Sequence, residues 1–210
     1  INEDDFTGTL DGQGHKITGL YINRGNVDGN RDAGLIYYAD HANITNLSLV
    51  GGSITSSNSA GGAFAAYAYD TTAHGLSSDL DVTVEGGEYV GGLFGEFWSY
   101  NDPGFDNPAS ITSSYSTGQI TSEAVVGGIT GWAGDVNISN VFYNGIVSAN
   151  GEYSGGLVAY GSSLNISNSY AAGGVTSTDI YGGGLVGWME GDSSIFNSFA
   201  ANTVDRKSTR

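Results

Sequence analysis

One short step recurs along the whole chain: a small residue, a glycine, then an apolar run. Aligned on that glycine, Gly34, Gly62, Gly92, Gly128, Gly156 and Gly184 fall in one column, at intervals of 28, 30, 36, 28 and 28 residues. The match sharpens toward the C-terminus. SGGLVAYGSSLNISNSYAAGGVTSTDIY runs from Ser154 to Tyr181, GGGLVGWMEGDSSIFNSFAANTV follows from Gly182, and VGGITGWAGDVNISNVFYNGIVSANGEY precedes them in the same frame. Self-similarity at this period means that each copy is one supersecondary unit, which buries its apolar face by stacking on its neighbours.

Each unit holds three short apolar runs, GGLVG-like, ISNSY-like and GxVTS-like, separated by Gly, Asn, Ser and Asp. Such runs, rich in Val, Ile, Thr and Tyr, read as strands. With 35 glycines among 210 residues, few segments sustain a helical period uninterrupted. Glycine has no period of three and there are only two prolines, which excludes collagen. A hydrophobic fraction of 39% supplies a core that a disordered chain lacks. The predicted fold is all-β: a parallel β-helix, or β-solenoid, of about 28 residues and three short strands per coil. Roughly six coils stacked at about 4.8 Å would make a rod about 30 Å long. Residues 1–33 are expected to form an N-terminal cap or first coil, 34–204 the repeats with an insertion at about 96–110, and 205–210 a tail. The opening INEDDF has neither an initiator methionine nor a signal-like pattern, so the chain reads as an excerpt of a larger polypeptide.

Side-chain columns support stacking. Ile138, Ile166 and Ile195 share one column with Ile44 and Ile111. Two residues on come Asn46, Asn140, Asn168 and Asn197; two further on come Phe142, Tyr170 and Phe199, with Tyr115 equivalent. Strand parity puts all three columns on one face. An interior of Ile and aromatic stacks with a self-satisfying asparagine ladder is therefore expected, with a surface asparagine row as the alternative. A second aromatic column, Tyr38, Trp132, Tyr160 and Trp188, has Tyr67 and Phe97 displaced by one. Core stacking is expected there too, the alternative being an exposed apolar stripe for a partner or ligand.

GGLVGW with IFNSFA, GGLVAY with ISNSYAAG, and GGITGW resemble the GLUG repeat, and FTGTLDGQGHKITGL resembles the segment that often precedes it. The resemblance covers about Phe6 to Val204. It implies a β-solenoid module in a large secreted or cell-surface bacterial or archaeal protein, a class that includes adhesins and some proteases carrying such repeats outside the catalytic domain. The copy AGGAFAAYAYDTTAHGLSSDLDVTV departs most, since it lacks the ISNSY run.

The charge narrows the partners. A net −16, from 22 acidic and 6 basic residues, opposes nucleic acid and anionic lipid surfaces. No run of 18 apolar residues suggests membrane insertion. The absence of cysteine removes disulfides and thiolate metal sites. The insertion EFWSYNDPGFDNPAS places Phe97, Trp98, Tyr100 and Phe105 beside Asp102 and Asp106. Loops on a regular scaffold commonly carry binding, and aromatic faces beside carboxylates suit sugar rings, although packing onto an apolar face of the solenoid is the simpler reading. NVDGNRD offers Asn26, Asp28, Asn30 and Asp32 as alternating oxygen ligands faintly like a Ca2+ loop, although a plain turn is the simpler reading. Otherwise no cofactor is expected. His15, His41 and His74 lack metal-ligand spacing and read as turn or surface residues. Sequons stand at Asn43, Asn46, Asn137 and Asn165, possible glycosylation sites only in an organism with the machinery.

Catalysis is not expected. A polysaccharide lyase of the β-helix kind typically needs a basic residue, and no Lys or Arg lies between Arg31 and Arg206. The close carboxylate pairs, Asp79 with Asp81 and Asp102 with Asp106, carry no sign of the groove a hydrolase requires. The expected function is a non-catalytic extracellular module for adhesion or display, binding a surface glycan or protein ligand. A structural spacer or fibre subunit stacking on copies of itself comes second, and a carbohydrate-active β-helix third. Ice binding lacks its regular Thr-x-Thr ladder.

Overall fold

A computed structural model describes residues 5–25, 32–57, 60–100, 109–178 and 181–206. Among these residues there is no helix; 26 strands form four parallel sheets of seven, four, six and nine strands. The chain is a parallel β-solenoid of about six turns. One coil shows the plan. Asn137–Ser139 belongs to the seven-stranded sheet, Phe142–Ala149 to the nine-stranded, Tyr153–Gly155 to the four-stranded and Val158–Ser162 to the six-stranded, before Asn165–Ser167 starts the next coil. There are four strands per coil rather than three, because the chain turns a corner inside the glycine step and splits that run between two sheets.

The glycine step is where backbones crowd. A Cβ on Gly127 would overlap the carbonyl oxygen of Thr130, and one on Gly155 that of Val158. A residue without a side chain is required where the coil folds back this closely.

The isoleucine column is in register across seven rungs: Leu10, Ile44, Ala73, Ile111, Ile138, Ile166 and Ile195. Ile44, Ile111 and Ile138 are fully buried, whereas Ile195 on the last coil is 44% exposed. Thr72–His74 fills the place of the missing ISNSY run, so the divergent copy keeps the rung and substitutes Ala73 for Ile. The first coil uses the same sheets: Thr9–Asp11 pairs with Asn43–Thr45, and Lys16–Asn23 with Ser48–Ser57.

The asparagine ladder lies outside, not inside. Asn46, Asn140, Asn168 and Asn197 are exposed, with φ of 54°, 54°, 49° and 47°. These are left-handed corners, and asparagine is the non-glycine residue that best tolerates them. Some rungs bond on the surface, as where Asn197 Nδ2 donates to Asn168 Oδ1 at 2.6 Å. Because the corner ends one strand and redirects the next, parity counted through it fails. The following aromatics therefore stack outside as well: Tyr115–Phe142, Phe142–Tyr170 and Tyr170–Phe199, with centroids 4.5, 5.1 and 5.3 Å apart and nearly parallel rings.

Serine takes the inward place. Ser114 and Ser169 are each 1% exposed. Ser169 Oγ donates to Ser167 O at 2.7 Å and accepts from Val141 N, one coil away, at 3.1 Å. Ser114 does the same with Thr112 O and Leu76 N. We expect Asn168→Gly to be near neutral and Asn168→Ala to cost about 1 kcal/mol for a Cβ in the left-handed region. Ser169→Ala should cost about 1–3 kcal/mol by orphaning the Val141 amide. Urea denaturation of the three variants checks the order; a costly Asn168→Gly would restore the buried ladder.

Candidate functional site: an outward aromatic face

The second aromatic column also differs from expectation. In the six-stranded sheet Tyr38, Tyr67, Glu96, Trp132, Tyr160 and Trp188 are register partners in that order. Tyr67 is therefore in line rather than displaced, the first two intervals are both 29, and the third rung is Glu96 rather than Phe97. Tyr38, Tyr67, Trp132 and Tyr160 are half-buried and Trp188 is 39% exposed, so this column faces outward instead of filling the core. Alternation within the strand explains it. The next residue on each rung, Ala39, Ala68, Phe97, Ala133, Gly161 and Met189, points inward, and Ala39, Ala68, Phe97 and Ala133 are fully buried.

Two flanking columns widen the face. Tyr153 and Tyr181 pair in the four-stranded sheet, to which Tyr89 also belongs. On the other side Asp40, Tyr69 and Trp98 are partners. The rings form one continuous chain of contacts. Tyr37 meets Tyr38, and Tyr38 meets Tyr67 at 6.0 Å and Tyr69 at 5.0 Å. Tyr69 stacks on Tyr100 at 5.2 Å, Tyr100 touches Trp98 at 5.3 Å, and Trp98 meets Trp132 at 4.7 Å. Trp132 contacts Tyr89 and Tyr160, Tyr160 meets Tyr153, and Tyr153 and Tyr181 close on Trp188. All three tryptophans of the chain take part.

Carboxylates are built into this surface. Glu96 is only 5% exposed. Burial pushes its carboxyl up to about 7, and the Tyr69 hydroxyl, by hydrogen bonding to it, partly opposes that rise, while Glu88 and Asp32 add to it. Asp32 Oδ1 accepts from the Tyr67 hydroxyl at 3.0 Å and from Ala60 N at 2.9 Å. A hydrogen bond with Glu190, with burial second, raises the Tyr160 phenol to about 12. The phenols of Tyr38 and Tyr69 are raised chiefly by burial. The face thus offers apolar ring surfaces edged by tyrosine hydroxyls and the exposed Glu190 carboxylate, the two kinds of group a polyhydroxylated ring uses, while Glu96 and Asp32, 5% and 6% exposed, lie beneath it.

The insertion contributes unevenly. Trp98 and Tyr100 join the face, with Tyr100 52% exposed. Phe97 does not: it is fully buried, its ring edge-on to Phe94 at 4.8 Å, and it is withdrawn as a ligand contact. Asp102, Phe105 and Asp106 lie outside the described residues, as do Asn26, Asp28 and Asn30 of the possible Ca2+ loop. The fourth member of that set, Asp32, is engaged by Ala60 and Tyr67. The sequon residues Asn43, Asn46, Asn137 and Asn165 are all exposed. Glu96 was missed in the sequence although the register signal was there, since four residues past Gly92 lands on it. His41 had no such signal, because its acidic neighbour Asp70 belongs to the next coil.

No protein-family model and no curated protein sequence matches the chain. The fold is a parallel β-solenoid.

Proposed function

We propose that this chain is a non-catalytic, GLUG-type β-solenoid module of an extracellular or cell-surface protein, and that it binds glycans along its aromatic face. The observation that carries the reading is the continuous run of ring contacts from Tyr37 to Trp188, outward except at the buried Tyr69, with the exposed Glu190 at its edge. Rungs repeat at the strand spacing of about 4.8 Å, so an extended chain of sugar rings would meet several side chains at once. That arrangement suits adhesion through many weak contacts. The site moves from the insertion loop to the sheet, with Trp98 and Tyr100 common to both.

A glycan array read with the wild-type chain, Trp98→Ala and Trp188→Ala tests this. Both variants should bind at least tenfold more weakly, a loss of about 1.4 kcal/mol or more, with far-UV circular dichroism unchanged. A wild-type chain that binds no glycan would instead favour the spacer or fibre role, which concentration-dependent solution scattering would then reveal as end-to-end association.

A further inference from the structure

Among the described side chains, the charged groups tied to the aromatic face are carboxylates. Glu88, Glu152 and Glu190 are exposed beside it, and Glu96 and Asp32 lie beneath it. The sequence from residue 32 to 205 contains no Lys or Arg to neutralise them. Tyr89 pairs with Val125, and Val126 with Ser154. Glu88 and Glu152 therefore stand before equivalent rungs two coils apart, about 10 Å at the strand spacing. Glu190 lies two residues past Trp188 in Val186–Glu190, so alternation gives both the same outward side.

Each of these exposed carboxylates acts on a ring. Glu190 is hydrogen-bonded to the Tyr160 hydroxyl, which is the first cause of that phenol's rise to about 12. Tyr153 is raised by burial and then by Glu152, Tyr181 and Glu190, and Tyr89 by burial and then by Glu96 and Glu88. The rings beside Glu152 and Glu190 meet mostly edge to face: Tyr153 with Tyr160 at 79°, Tyr153 with Trp188 at 66° and Tyr181 with Trp188 at 75°. Ring faces are thus presented in more than one direction. An aromatic face attracts a cation held within about 6 Å of its centroid, and a carboxylate accepts charge-assisted hydrogen bonds from the same group. Both features favour one sign of ligand charge.

We infer that the glycan taken by this face carries ammonium groups: it is a polymer of hexosamines with free amines, whose sugar faces lie on Tyr153, Tyr160 and Trp188 while the ammonium groups meet Glu152 and Glu190. Glu88 beside Tyr89 extends the row along the rod. The inference rests on the glycan-binding reading and adds the charge of the ligand to it. The same sugar chain with its amines acetylated keeps the ring stacking and loses the attraction to the carboxylates. A polyuronate of equal length brings like charge to like and is turned away.

Calorimetry compares a glucosamine hexamer, at a pH where its amines are protonated, with the N-acetylglucosamine hexamer, a galacturonate hexamer and hexalysine, each at low and high salt. The free-amine hexamer should bind at least tenfold more tightly than the acetylated one, the galacturonate should not bind, and the advantage should shrink at high salt. The double variant Glu152→Gln, Glu190→Gln should bring the free-amine hexamer down to the wild-type affinity for the acetylated one, with far-UV circular dichroism unchanged. Equal or tighter binding of the acetylated hexamer would overturn the inference and leave the glycan reading standing. Hexalysine bound as tightly as the free-amine hexamer, with Trp188→Ala without effect on either, would reduce the attraction to that of any cation for an acidic chain and would also overturn it. Failure of every saccharide, on the array and in solution, would remove both readings together.

Discussion

Gly155→Ala should destabilise the rod by on the order of 3–5 kcal/mol, while Gly174→Ala should leave it unchanged or gain about 0.5–1 kcal/mol. The two glycines look alike in composition and differ in surroundings. A Cβ on Gly155 would strike the backbone carbonyl of Val158 and come within 3.0 Å of Gly187 N on the next coil. Neither can yield without breaking the ladder that joins the coils. Around Gly174, within Tyr170–Ser177, nothing lies within 4 Å of the added carbon, and alanine there only restricts the unfolded chain. Thermal and urea denaturation of the pair measure the contrast. Equal midpoints for the two variants would show that the glycine step does not set the coil geometry.

The second large effect concerns pH. Glu96 titrates near its ordinary value of 4.5 when unfolded and at about 7 in the folded chain, chiefly because it is buried, with Glu88 and Asp32 acting in the same sense and the bond from Tyr69 against it. Between these values the folded state holds a proton that the unfolded state has released. Stability therefore falls as pH rises from about 4.5 to about 7 and is flat, for this group, outside that window. The full shift corresponds to on the order of 3 kcal/mol. Glu96→Gln should remove this slope and be the more stable form at pH 8. Thermal midpoints from pH 4 to 8 for both chains provide the check, and parallel profiles would rule out a buried, protonated Glu96. Above pH 7 the same carboxylate places a negative charge between Tyr67 and Trp132, its partners on the face.

The interval of the glycine step and the Ile138, Ile166 and Ile195 column were enough to read a stacked all-β coil, because both depend on neighbours a fixed distance away along the chain. The second aromatic column was equally visible as a pattern, and so were Trp98 and Tyr100 as ring-bearing residues beside an insertion. Their orientation was not. Alternation specifies a face only within one strand, and the corners at Asn46, Asn140, Asn168 and Asn197 restart the count. That is why the asparagines and Phe142 and Tyr170 changed sides, and why Ser169, which parity puts on the face opposite the isoleucines, became part of the buried polar ladder.

By itself, then, the sequence determined the coil, its period and which side chains form columns, since local strand preference and repeat length govern these. Only the tertiary structure decided which columns face water, that Glu96 rather than Phe97 interrupts the aromatic rungs, and that His41 meets Asp70, 29 residues further along the chain. Those outcomes depend on corner geometry and on contacts between coils, which exist only once one coil lies on the next.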